Sequence, residues 1–373
     1  MKRLVVISFL VLSGCVSLIA EHRSEEEQAA ALATRQVEET ELANAHKVLE
    51  QGRYEEARML YRDFSGRRQQ SVYLQAARMG EAQALEGLGQ YKEAAELYRD
   101  IYLKTLKLQP EIASTALYRM SFAYEALGYD SKTIAALLDA RRLSEHLPIE
   151  VAAAEIPARL AAVYGRQGQD QEAIHYLNEA EKGISEISAR AETTLKKDWL
   201  AKTYVQMGSV STNQLAKDNF DDFVQGQKWV QVYLIKALKL NDPVWSPRAQ
   251  QKLQNTYRDL VTQLEAVSNR ETQNQLAGSL FELMDQADLY RPLAGQKMNP
   301  YEQGFFGYLS EVRKKTEKIV FGSGEIMTLT EESQKLHSLK RSGRVKADAL
   351  LPEEKKSSIP LPPKVVPSED PNL

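Results

Sequence analysis

The chain has a single cysteine, Cys15, in 373 residues. One thiol closes no disulfide within the chain and builds no multi-cysteine metal site, so packing and hydrogen bonding must hold the fold. Histidine is also scarce. His22, His46, His146, His175 and His337 lie far apart, and none has a partner at metal-ligand spacing. No metal and no cofactor is expected. Charge of one sign is lacking too: 48 Lys and Arg stand against 51 Asp and Glu, a net −3 that becomes −5 without Lys2 and Arg3. That balance argues against a nucleic-acid partner. No apolar run reaches the roughly 20 residues that span a bilayer. Six of the 13 prolines fall after Asp348, which leaves most of the chain free of helix breakers. What is abundant is Ala, Leu, Glu, Gln, Lys and Arg, and these favour helix.

The position of the lone cysteine is informative. Lys2 and Arg3 precede an apolar run from Leu4 to Leu12, broken only by Ser8, and small residues follow. This is the layout of a secretory signal. Leu12-Ser13-Gly14-Cys15 resembles the lipobox of bacterial lipoproteins. The resemblance implies cleavage before Cys15, diacylglycerol on its thiol and acylation of the new amino group. Several acyl chains meet the requirement for stable anchoring. In enteric-type bacteria an Asp after the cysteine tends to retain a lipoprotein in the inner membrane. Val16 stands there in this chain, so the resemblance implies the periplasmic face of the outer membrane.

A repeat follows. "AHKVLEQGRYEEARMLYRDF" from Ala45 and "AQALEGLGQYKEAAELYRDI" from Ala82 share one register: Gly52, Tyr54, Ala57, Tyr61 and Gly89, Tyr91, Ala94, Tyr98. Weaker copies surround Gly128 and Gly168, where Asp130 and Asp170 replace the first tyrosine and Thr133 replaces one alanine. A fifth start, "WLAKTYVQMG", ends at Gly208, with its second helix displaced to "FVQGQKWVQVYLIKALKLNDP" beyond an insertion. The glycines are 37, 39, 40 and 40 residues apart. These units resemble the tetratricopeptide repeat, a helix–turn–helix unit whose usual period is about 34. Glycine ends the first helix in a left-handed conformation. The small residue lets the two helices approach, and the late Tyr or Leu fills the next groove. The fold class expected is all-α, a tetratricopeptide-type α-solenoid with a disordered proline-rich tail.

The expected organisation is a signal peptide over 1–14 and a lipidated cysteine with a short tether over 15–23. A solenoid follows over 24–243, with Ser24 to Glu27 as a capping box for a leading helix. Capping helices are expected over 244–300. An aromatic and then basic segment over 301–347 opens with Tyr301, Phe305, Phe306 and Tyr308. A proline-rich tail over 348–373 has no core to join.

Catalysis finds little support. "SEEE" and "LPEEKK" read as solvated faces, and "FGSGE" lacks the lysine and helix of a phosphate loop. The chain is expected not to be an enzyme. In tetratricopeptide arrays first-helix residues line a concave groove. The matching positions here are Gln83, Glu86, Tyr118, Phe122, Glu125, Arg166, Lys202 and Gln206. The chaperone-binding branch of the family clamps a peptide carboxylate with Lys and Asn. Gln83, Phe122 and Ala162 occupy the Asn-bearing position, which does not fit that specificity. Tyr118 and Phe122, four apart, suit an apolar anchor or the core.

The resulting expectation is a membrane-anchored scaffold that holds envelope proteins or peptides through its groove. Lipoproteins of this look occur in outer-membrane assembly, in secretion and pilus machines, and in gliding motility. The alternative is a glycan-binding accessory factor for peptidoglycan or polysaccharide synthesis or turnover. It would need exposed aromatic platforms, and Trp199, Trp229 and Trp245 are the only tryptophans.

Overall fold

The computed structural model describes residues 25–190, 195–210, 220–293 and 295–321. The expected signal peptide, the Cys15 tether, the basic segment after 321 and the proline-rich tail lie outside the described residues. All regular structure among the described residues is helical. The chain divides into two compact units at residue 193, within the span expected to form one solenoid.

The first unit is a row of helix hairpins. They are α1 (Glu25–Glu50) with α2 (Tyr54–Arg67), α3 (Leu74–Gly87) with α4 (Tyr91–Thr105), α5 (Pro110–Ala126) with α6 (Asp130–Arg142), and α7 (Ile156–Arg166) with α8 (Asp170–Ser188). Each helix packs on the next in chain order, and α1 also meets α3, as α3 meets α5. This is the all-α hairpin stack that the repeat pattern implies.

The hairpin turns share one chemistry. Gly52, Gly89, Gly128 and Gly168 have φ of 75°, 74°, 73° and 70°. In each, the N–H after the glycine reaches back five residues: Arg53 to the Val48 carbonyl, Gln90 to Leu85, Tyr129 to Tyr124 and Gln169 to Tyr164, at 3.2, 2.9, 2.9 and 3.0 Å. That bond satisfies a carbonyl the helix would leave unpaired, and it needs a left-handed residue that only glycine adopts cheaply. The following helix begins at Tyr54, Tyr91, Asp130 and Asp170, as the register implies. Ala57, Ala94, Thr133 and Ala173 are fully buried between paired helices. The late Tyr61 lies against Gly80 of the next hairpin, where any Cβ would enter its ring.

The fourth hairpin carries an irregularity. A π turn, Val151–Glu155, leads into α7. Pro157 explains it, because proline has no N–H to give the Ala153 carbonyl four residues earlier. The wide turn packs against Gly183 of α8.

The second unit contains α9 (Lys197–Met207), α10 (Phe220–Lys239), α11 (Trp245–Glu265), α12 (Arg270–Asp288) and α13 (Pro300–Phe321). The expected fifth repeat corresponds to α9 and α10, which pack together. Its glycine differs from the others. Gly208 has φ of −74° and makes no left-handed turn. Its smallness serves contact instead, since a Cβ there would strike the Leu234 side chain of α10.

Packing in this unit is not strictly sequential. α10 touches α11, α12 and α13 as well as α9, and α11 touches α13. The aromatic segment is structural here: Phe305 and Phe306 are fully buried with Tyr257, Leu260 and Leu280. The Tyr257 hydroxyl donates to Gln231 Oε1 at 2.9 Å, and Gln231 Nε2 donates to the Leu283 carbonyl at 3.1 Å. These bonds satisfy polar atoms in an otherwise apolar centre. Asn299 Nδ2 donates to the Leu238 carbonyl at 2.9 Å, tying the start of α13 to the end of α10. Among the described residues, no helix is long and apolar enough to cross a membrane.

Candidate functional site

The first helices α3, α5 and α7 of the first unit carry a ladder of charged and aromatic side chains. Arg119 of α5 pairs with Glu86 of α3 at 2.9 Å. Arg159 of α7 pairs with Glu125 of α5 at 2.7 Å, and it donates to Ser121 Oγ at 2.5 Å. Arg166 of α7 bridges Glu125 at 3.2 Å and Asp130 at 2.9 Å. The Phe122 ring lies within this ladder. The Arg159 guanidinium stacks over it at 3.6 Å, and Tyr118 meets it edge-on at 5.1 Å. Arg119 is 5.8 Å from the same ring.

Burial sets the electrostatics. Arg159 is only 2% exposed, so its charge stands on its partners rather than on water. Burial pushes the Glu86 carboxyl above its ordinary range, against the opposing pull of Arg119. Burial and the nearby Glu155 carboxylate raise the Tyr118 hydroxyl well above its usual value. For Arg166, burial acts to lower the pKa, but Asp130 and Glu125 outweigh it and the guanidinium is held above its ordinary value.

The expected groove residues therefore separate. Glu86, Tyr118, Phe122, Glu125 and Arg166 meet on adjacent first helices. Tyr118 is 9% exposed and belongs to the packed interior. Glu86 and Glu125 are engaged in ion pairs within the chain. Gln83 is half-buried on α3, one turn from Glu86. Lys202 and Gln206 are half-buried on α9 of the second unit. Arg166 is the exposed member of the ladder, and Phe122, Glu125 and Arg119 are half-buried.

Sequence reasoning missed Arg119, Ser121, Glu155 and Arg159. A signal for two of them is present. Glu86 and Arg119 are 33 residues apart, and Glu125 and Arg159 are 34 apart. Opposite charges at about one repeat, both on first helices, would meet across neighbouring hairpins.

The described residues contain no group of three His, Asp or Glu side chains arranged to hold a metal ion. The tryptophans are not open platforms. Trp199, Trp229 and Trp245 are all partly buried, and Trp245 packs on the core with Arg248 over its ring at 4.5 Å.

No protein-family model matches the sequence, and no curated protein matches it. Among solved structures, one match is BtubC (BKLC) from P. vanneervenii. It is 15% identical, with a TM-score of 0.37 over 87% of this chain and 97% of that one. A likeness at that level carries no argument about function.

Proposed function

We propose that this protein is a non-catalytic adaptor of the bacterial envelope, of tetratricopeptide type, held at the membrane through Cys15. Its first unit presents a protein- or peptide-binding face. The observation that supports binding is the ladder itself. Phe122 is half-buried beneath the Arg159 guanidinium with Arg119 5.8 Å from its ring, Arg166 shares Glu125 with Arg159, and the paired carboxylates fix these guanidiniums in place. Preorganised arginine and aromatic side chains are the residues on which protein interfaces concentrate their energy. A glycan reader would need Trp or Tyr platforms open to solvent; the three tryptophans are partly buried, and the tyrosines exposed among the described residues, Tyr54 and Tyr129, belong to separate hairpins.

The anchor rests on Leu12-Ser13-Gly14-Cys15, and Val16 in place of a retaining Asp favours the periplasmic face of the outer membrane. Metabolic labelling with a fatty acid should mark the wild type, and Cys15→Ser should abolish the label and normal processing. Equal labelling of both forms contradicts the anchor. The binding face predicts that envelope proteins crosslink to the wild type in membrane fractions. Phe122→Ser combined with Arg166→Glu should remove at least one of them, while circular dichroism at the temperature of the experiment shows the folded helical content of the wild type. An identical set of partners from both forms contradicts a role for this face.

A further inference from the structure

The turns that join one hairpin to the next all lie at one end of the first unit. Successive helices run antiparallel, so the turns after α2, α4 and α6 share a side. The contacts agree. Arg67 and Tyr73, flanking the first of these turns, reach Glu41 and Glu39 in the middle of α1. The His146 carbonyl of the third accepts from Ser114 Oγ near the start of α5. The amino-terminal half of α1 extends past this same end. From Glu38 back to Glu25 it projects by about 20 Å at 1.5 Å per residue.

The second of these turns is unusual in composition. With the end of α4 it reads Leu103-Lys104-Thr105-Leu106-Lys107-Leu108, and only Thr105 is buried. Leu103 is 62% exposed and Leu108 is 84% exposed, the largest value among the exposed apolar side chains. Lys104 and Lys107 stand between them, both exposed; Lys104 also pairs with Asp100 at 2.8 Å, which leaves Lys107 as the main cation of the turn. Val72, in the neighbouring turn at the same end, is exposed as well. Leucines that lack partners and alternate with lysines match an interface with anionic headgroups above and acyl chains below.

We propose that this turn is a second membrane contact, in which Leu103 and Leu108 enter the headgroup boundary of an anionic bilayer and Lys104 and Lys107 meet lipid phosphates. The inference rests on the reading of Cys15 as the acylated residue. The end of the unit that bears the turn is the end toward which α1 leads back to that cysteine. Nine residues lie between Cys15 and Glu25, ten Cα steps with a reach of at most about 35 Å. A single acylated cysteine tethers a protein without orienting it. Because α1 projects past this end, a second contact there would set the first unit obliquely on the bilayer, resting on the start of α1 and on this turn.

The test uses the mature chain from residue 15 with Cys15→Ser, so that no acyl chain takes part. It should float with phosphatidylglycerol–phosphatidylethanolamine vesicles and stay unbound with phosphatidylcholine vesicles. Leu103→Ser with Leu108→Ser should lower partition about tenfold, and Lys107→Glu should lower it several-fold and flatten its salt dependence. Both variants should melt as the parent does, since these side chains are exposed. Absence of binding by the unacylated chain, or unchanged binding by the double leucine variant, overturns the proposal. So does a dimer, seen by sedimentation, that the leucine variant abolishes without any effect on vesicles. Fatty-acid labelling of Cys15 reads the anchor separately, so either idea can fail alone.

Discussion

Arg159→Ala should unfold the first unit at markedly lower denaturant than the wild type, by about 3 kcal/mol. The guanidinium is buried and does three things: it pairs with Glu125, donates to Ser121 and stacks on Phe122. Breaking a buried pair by removing one partner typically costs about 3–5 kcal/mol. Glu125 is partly exposed and keeps Arg166, which favours the lower end of that range. Arg159→Lys should recover only part of the loss. An ammonium cannot span Glu125 and Ser121 as a planar fork while lying flat on the ring. Urea titration followed by circular dichroism reads both. A midpoint for the alanine variant within error of the wild type would mean that Arg159 is not the internal brace of the ladder.

Gly183→Ala should also destabilise, against the trend of helix propensity. Glycine within a helix is about 1 kcal/mol worse than alanine, so the exchange would ordinarily help. Here a Cβ would run into the Ala153 carbonyl of the π turn. Backbone cannot yield as a flexible side chain can, and overpacking of this kind costs about 1–3 kcal/mol. The net expectation is a loss of about 1–2 kcal/mol. Gly66→Ala in α2 is the control, because nothing lies within 4 Å of its added Cβ. It should be neutral or stabilising. The two substitutions change the same atom, so opposite signs in their thermal melts isolate the contact. If Gly183→Ala is as benign as Gly66→Ala, the close approach of α8 to the π turn is wrong.

Much of the first unit is legible in the sequence because its signals are local. A glycine that must adopt positive φ, a small residue five positions later and a bulky one after that mark the hairpins at Gly52, Gly89, Gly128 and Gly168 before any contact is known. The same reasoning fails at Gly208. That glycine is required by Leu234 across a helix pair, and the sequence does not distinguish a glycine kept for its dihedral angle from one kept for its size. The π turn is a similar case. Pro157 signals an interruption, but its accommodation depends on Gly183, 26 residues later. The aromatic run from Tyr301 stands apart from the repeat in sequence. Its place in the core follows from α10 and α11, whose apolar faces cannot be closed by α9 alone.

For the candidate site, first-helix positions are legible from the register, and Glu86, Phe122, Glu125 and Arg166 are found that way. Which of them are free to bind is not legible, because it depends on cross-hairpin partners. Arg119 and Arg159 engage the glutamates, and Tyr118 turns inward toward Glu155. The ladder that results is stiffer and less open than a row of independent polar side chains.

The most direct measurement of the central claim, that the first-helix face of the first unit recognises a protein partner, is site-specific photo-crosslinking in intact cells. A crosslinking side chain at Gln83, half-buried beside the ladder, is compared with one at Met59, exposed on α2. The account predicts a discrete protein adduct from position 83 that is absent at position 59 and is lost when Phe122→Ser and Arg166→Glu are added. Adducts of equal yield at both positions, or an adduct at 83 that persists in the double variant, would contradict it.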